Sequence, residues 1–349
     1  MKSILLASTA VIALAGAAAA EVSFGGSATL GYNNDSSTGN TDGFYWDAGL
    51  SVTLAQTLDN GLTASASFDV SIFSSTLSSN DFSASGLVLS LTAENAGLYF
   101  GDTEMAAIMH WAPAGDMDTA DFSENDGAVV IRGDMTFGGW DASVSYFYDE
   151  DDGDLDQLSI GATGTVGSLT IGFAYQAEEN DHSGNGGGDF DDDEVFGLSV
   201  GTSFSGADVS FAYAVNNNDA DNSMGIEVAY PAGPVTVTGW YVAESDQDNG
   251  FGVSADYANG PMAVTVAWES VDGDEAWSID GSYDVGSGLV VMAGVVDNGS
   301  DFYVGGSYDL GSGASLLVSY AGDTDDSEGD EVGAPEYQRG TTVELSFAF

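Results

Sequence analysis

The chain of 349 residues contains no cysteine, two histidines and three basic residues. Without cysteine it can build neither a disulfide framework nor a thiolate metal site. Three basic residues against 56 acidic ones give a formal net charge of −53, which makes nucleic acid and anionic lipid poor partners. Beyond residue 20 no stretch of about 18 consecutive apolar residues occurs, which excludes transmembrane helices. The two histidines, His110 and His182, both fall in loop-like segments. A Ser-His nucleophile or a zinc site needs a histidine held by partners, so the sequence does not read as an enzyme. His110 beside Trp111 reads as loop packing or a polar spacer.

Strong acidity commonly marks disorder, yet 43% of the residues are hydrophobic and 11% aromatic. That much apolar surface has to be covered. Residues 1–20 read as a signal peptide: Lys2 is the charged start, Ile4 to Leu14 a short apolar stretch, and Ala18, Ala19 and Ala20 the small residues before cleavage at Glu21. Its removal would leave Arg132 and Arg339 as the basic side chains of the mature chain. Residues 21–349 then read as one unit, longer than an ordinary domain and suited to a single large barrel.

Apolar residues recur at every second position. Trp140, Ala142, Val144, Tyr146 and Tyr148 share one face, with Asp141, Ser143, Ser145 and Phe147 on the other. Phe251, Val253, Ala255 and Tyr257 likewise oppose Gly252, Ser254 and Asp256. A soluble sandwich alternates too. Aromatics gathered toward the run ends, among them Tyr32, Trp46, Trp140, Tyr148, Tyr230, Trp268, Trp277 and Phe349, favour the interfacial girdles of a membrane barrel.

The connections favour it further. From 22–32 to 340–349 the alternating runs number twenty. Short connections such as Asn95-Ala96, Gly138-Gly139 and Asn259-Gly260 alternate with long acidic ones such as 102–126, 149–156, 177–193 and 322–338. The expected fold is an all-β, transmembrane, antiparallel up-and-down β-barrel in the outer membrane, with short periplasmic turns, long extracellular loops and an even strand number of about 16 to 20.

The mature start EVSFGG, the segment GLYFGDTEMA (97–106), the late hairpin YVGGSYDLGSGASLLVSYAGD (303–323) and the terminal FAF carry a resemblance to general-diffusion porins. It is closest to those of purple photosynthetic and marine alphaproteobacteria, covers the mature chain in pattern, and is specific in those patches. The resemblance implies a homotrimer in outer-membrane lipid, a barrel usually of sixteen strands, and a third extracellular loop folded into the lumen as a constriction. It also implies that Phe349 is the terminal aromatic read by the barrel assembly machinery. Two features depart from the family. The runs outnumber sixteen strands, and a chain with only Arg132 and Arg339 cannot build the arginine cluster that such porins set opposite the acids of the inner loop.

The connection 102–126 is the third outer loop and the longest, a length that usually marks a functional or disordered segment. Its acids are Asp102, Glu104, Asp116, Asp118, Asp121, Glu124 and Asp126, and Met105, Met109, Trp111 and Pro113 supply apolar material to pack it against a wall. The functional reading is an inward-folded constriction loop; the plainer one is an outward loop over the mouth or at a trimer contact.

Directly after it, Arg132 and Asp134 face the lumen if Val129, Ile131, Gly133 and Met135 face lipid. That phase avoids the roughly 2–4 kcal/mol penalty of an arginine in hydrocarbon. Arg132 either pairs with a loop acid at the narrowing or forms a structural salt bridge near the rim, and Arg339 reads as a loop anchor.

Lumen acids such as Asp141, Glu227, Asp256, Asp280, Asp284 and Glu344, with almost no counter-charge, predict a pore that favours cations, and salt should weaken that preference. Carboxylates clustered around glycine, Asp149, Asp151, Asp152 and Asp154 in one loop and Asp191, Asp192 and Asp193 in another, suit Ca²⁺. Neither cluster matches the full calcium-loop signature, and diffuse counter-ion binding is the alternative. Bound divalent ions would bridge these loops to lipopolysaccharide phosphates. No other cofactor is expected.

The function expected is passive diffusion of small hydrophilic solutes. One rival is a secreted calcium-binding Gly/Asp-rich β-protein or adhesin, disfavoured because no fixed nine-residue repeat recurs. The other is a solute-specific channel of the same fold.

Overall fold

The computed structural model describes residues 10–11, 21–35, 43–74, 83–117, 122–124, 128–148, 155–179, 192–218, 220–322 and 331–349. The alternating runs become twenty strands. In chain order they are β1 (Glu21–Asn33), β2 (Gly43–Thr57), β3 (Thr63–Ser74), β4 (Ser83–Ala93), β5 (Ala96–Gly101), β6 (Val130–Phe137), β7 (Trp140–Tyr148), β8 (Leu155–Val166), β9 (Leu169–Gln176) and β10 (Val195–Phe204). They continue as β11 (Ala207–Asn216), β12 (Asp221–Ala232), β13 (Val235–Glu244), β14 (Gly250–Asn259), β15 (Met262–Val271), β16 (Asp274–Gly286), β17 (Leu289–Val296), β18 (Asp301–Gly311), β19 (Ala314–Gly322) and β20 (Gly340–Ala348).

Each strand pairs antiparallel with its neighbours in sequence, and β20 returns to β1 with Ser27 opposite Ala348 and Asn33 opposite Thr342. The sheet therefore closes, which removes both edges and satisfies the backbone without water, the condition for crossing hydrocarbon with strands. Phe349 extends the seam: its N–H donates to the Gly26 carbonyl at 2.8 Å and its carbonyl accepts from the Gly26 N–H at 3.2 Å. On the same edge of β1 as β20, beyond the reach of β20, Ala10 and Val11 pair with Phe24 and Ser23.

The family resemblance pointed to sixteen strands; the barrel has twenty. Each of the twenty alternating runs is a strand of the barrel. Even the shortest strand, β5, is laddered on both sides, to β4 through Ala96 to Gly101 and to β6 through the same residues.

Local chemistry explains the boundaries. Ser205-Gly206, Ser287-Gly288 and Ser312-Gly313 have positive φ at both central positions, the mirror-image turn whose twist matches a two-residue hairpin. β4 starts at Ser83. Gly86, at φ +64, absorbs a register shift between β3 and β4, so alternation changes phase there.

One face of each strand is apolar and exposed, for example Leu87, Leu89 and Leu91 on β4, and Ile279, Tyr283 and Val285 on β16. The opposite face carries Ser, Thr, Gly, Ala and Asp. Among the described residues there is no single central core; the buried apolar side chains form small clusters on the lumen side, beneath segments that fold inward from the loop end.

Candidate pore site

After β5 the chain turns into the lumen and forms a short helix, α1 (Ala106–His110). Met105 provides no side-chain cap, so wall serines take over the free N–H groups of the first turn. Ala106 N–H donates to Ser145 Oγ on β7 at 2.9 Å, and Ala107 N–H to Ser159 Oγ on β8 at 2.7 Å. At the other end of α1, the His110 ring lies between two hydroxyls, Thr163 Oγ1 at 3.0 Å and Ser143 Oγ at 2.8 Å. Burial pushes its pKa below the usual 6.5, opposed by the Asp134 and Asp141 carboxylates and reinforced by Arg132.

Further along, Ser123 N–H donates to Gln176 Oε1 and Ser123 Oγ to Gln157 Oε1, both at 2.7 Å. Met105 packs with Val130 and Phe147, while Trp111 and Phe122, with ring centroids 5.5 Å apart, pack with Ala107, Ala174 and Val195.

The segment can lie this close because the wall beneath it is glycine. A Cβ on Gly161 would overlap the Ala106 carbonyl, on Gly172 the His110 carbonyl, on Gly197 the Trp111 ring, and on Gly225 the Ala114 carbonyl. Gly115, at φ +71, rests against Trp240 on β13. The loop thus runs across the lumen face from β7 to β13.

Arg132 secures the start of this path. It is 6% exposed. Its Nε donates to Asp134 Oδ1 at 2.9 Å, its Nη1 donates to Thr103 Oγ1 and to the Glu104 carbonyl, both at 2.7 Å, and its guanidinium stands 4.8 Å from the centre of the Tyr99 ring. Among the described residues its carboxylate partner is Asp134, on its own strand. Of the loop acids, Glu104, Asp116 and Glu124 are exposed and Asp102 is half-buried. Asp118, Asp121 and Asp126 lie outside the described residues.

The wall acids are held by hydroxyls. Asp69 accepts from Ser51, Asp141 from Thr136, Asp208 from Ser203, Asp256 from Thr265, Asp280 from Tyr303 and Glu344 from Tyr45, at 2.5 to 2.7 Å. A hydroxyl fixes a carboxylate in place without cancelling its charge. Arg339 lies at the loop end, where its Nε is 3.4 Å from Asp35 Oδ2 and its carbonyl accepts from Asn33 Nδ2 at 2.9 Å. It ties the last loop to the first.

Of the residues expected to favour Ca²⁺, Asp149, Asp151, Asp152, Asp154 and Asp191 lie outside the described residues, as does His182. Asp193 Oδ2 accepts from Asn216 Nδ2 at 2.5 Å and its carbonyl from Gln176 Nε2 at 3.1 Å, while the Asp192 carbonyl accepts from Glu179 N–H at 2.8 Å. Among the described residues no three or more metal-ligating side chains come together.

Sequence reasoning missed the wall groups that seat the loop: Ser145, Ser159, Gln157, Gln176 and the four glycines. The glutamines carried a signal, since they are long amides at the loop ends of β8 and β9 in a wall of small side chains.

The sequence model of Gram-negative porins matches residues 7–328. The chain belongs to the Gram-negative porin family. No curated protein sequence matches it. Among solved structures, one mutant of the Rhodopseudomonas blastica porin aligns at TM-score 0.50 with 15% identity, covering 74% of this chain and 98% of that one. A second mutant of that porin aligns at 0.47 and 15%, covering 94% and 100%. This porin is therefore an outer-membrane protein, with its apolar face on lipid, its long loops outside the cell and its short turns in the periplasm.

Proposed function

We propose that this porin is a general-diffusion channel, passing small hydrophilic solutes without chemical turnover and preferring cations. The observation that carries the preference is the wall itself: carboxylates from Asp69 round to Glu344 are fixed by hydroxyl donors, while Arg132 is buried and consumed by Asp134 and the loop backbone. Rings of fixed negative charge are a general means of favouring cations in wide pores. The inward segment from Asp102, presenting Glu104, Asp116 and Glu124, is the constriction in this reading. Family membership supports a homotrimer, which cross-linking of the detergent-solubilised protein would test.

The decisive experiment is the reversal potential of the reconstituted channel across a potassium chloride gradient. It should have the sign of potassium permeation. Chloride preference would sink the selectivity, and a protein that never conducts would sink the channel.

A further inference from the structure

Residues 331–339, at the end of the last connection, also lie in the lumen, on the wall facing the first segment. Glu331–Val332 pairs with Tyr337–Gln338 in a small hairpin closed by a Glu336 N–H to Gly333 carbonyl bond of 2.8 Å. Val332 and Tyr337 are buried against Tyr303 and Ala321, with Met292, Val296 and Leu317 at the margin. Tyr303, Gly305 and Met292 occupy lumen positions, because their neighbours Phe302 and Val304 are exposed on the lipid face. The rings of Tyr303 and Tyr337 meet edge to face at 5.4 Å, and Tyr337 Oη lies 3.6 Å from Met292 Sδ. Glycine again makes the seat: a Cβ on Gly305 would stand 2.8 Å from Tyr337 Oη, and one on Gly333 would overlap the Tyr303 ring.

We infer that this hairpin is a second constriction element, and that solute passes between it and the segment following Asp102. The first segment is seated on β7 to β13 and the hairpin on β17 to β19. In a ring of twenty strands, β8 and β18 stand opposite one another. Barrel diameter grows roughly in proportion to strand number, so twenty strands enclose a lumen about a quarter wider than sixteen do. One inward loop leaves a correspondingly wider gap, and a hairpin on the facing wall narrows it. Its exposed turn, Ala334 and Glu336, adds another carboxylate on the far side from Glu104 and Asp116.

The inference rests on the channel reading above, and the test separates the two. Single-channel conductance and the largest neutral sugar admitted are measured for the full chain, for a variant with Glu331–Gln338 replaced by a short Gly-Ser linker, and for Gly305→Val, which fills the seat of Tyr337. Both variants should conduct more and admit larger sugars than the parent. A conducting parent whose linker variant inserts, conducts equally and keeps the same sugar cutoff overturns the second constriction alone. If Gly305→Val does not assemble, the linker variant decides. A parent that does not conduct overturns the channel reading instead.

Discussion

Arg132 shows what a single residue can and cannot disclose before its surroundings are known. Its place in an alternating run puts its side chain on the lumen face, because the adjacent Ile131 and Gly133 take the other phase. Its partners come from the fold: Asp134 is two residues away, but Thr103 and the Glu104 carbonyl arrive only because the chain after β5 turns inward. Removing the guanidinium leaves the partly buried Asp134 without its cation and the Thr103 and Glu104 acceptors without their donor, a loss that typically costs about 1–3 kcal/mol. Arg132→Ala should therefore lower the thermal unfolding temperature of the barrel and raise conductance as the start of the loop loosens. Arg132→Lys should recover only part of both, because an ammonium cannot offer the forked donor set. Equal behaviour of the two variants would contradict that role.

His110 gives a second test at this scale. Burial lowers its pKa in the folded state, so the unfolded chain takes up a proton first as pH falls. The seating of α1 is at full strength above the ordinary value of 6.5 and weakens as pH drops from there through the lowered folded value. The change in melting temperature across that window should shrink in His110→Gln, and an unchanged pH profile would count against the assignment.

Strands, turns and loops were legible in the sequence to different degrees. Period-two alternation marks all twenty strands because each has lipid on one side and water or a small-residue wall on the other, so a one-residue slip would expose the wrong face. It fails at Gly86, where a bulge reverses the phase, and it says nothing of the lumen glycines. Gly161, Gly172, Gly197 and Gly225 lie on four different strands, and in the sequence nothing sets them apart among the chain's 48 glycines. Only the folded barrel brings them under one loop. Gly225→Val places branched carbon into the Ala114 carbonyl and the Met117 sulfur. Overpacking of this kind typically costs about 1–3 kcal/mol, and the strand itself tolerates valine well. The expected outcome is a barrel that assembles and inserts normally with its inner loop displaced, seen as higher conductance with little change in barrel melting. A large fall in melting with unchanged conductance would mean that the glycine serves the wall and not the loop.

For the whole molecule, the governing quantity is a net charge of −53 carried by a chain with almost no cations to neutralise it. The acidity was evident from composition, but its fate was not. Composition permits the carboxylates to pair with solvent ions, to repel one another in disordered tails, or to be fixed on a wall; Ser51, Thr136, Thr265, Tyr303 and Tyr45 realise the third. Charges fixed to the wall of a water-filled lumen act on a passing ion over about one screening length, roughly 30 Å at 0.01 M, 10 Å at 0.1 M and 3 Å at 1 M salt. At low salt the fields of neighbouring carboxylates therefore overlap across the lumen, whereas at high salt an ion near the axis is screened from them. The ratio of potassium to chloride permeability should accordingly fall steeply between about 0.01 M and 1 M salt, measured by reversal potentials at a constant concentration ratio. Replacing Asp256 and Asp280 by asparagine should lower it at the dilute end and leave it nearly unchanged at the concentrated end. A ratio that stays constant across this range would place selectivity in close contact at a narrow filter and not in the field of the wall.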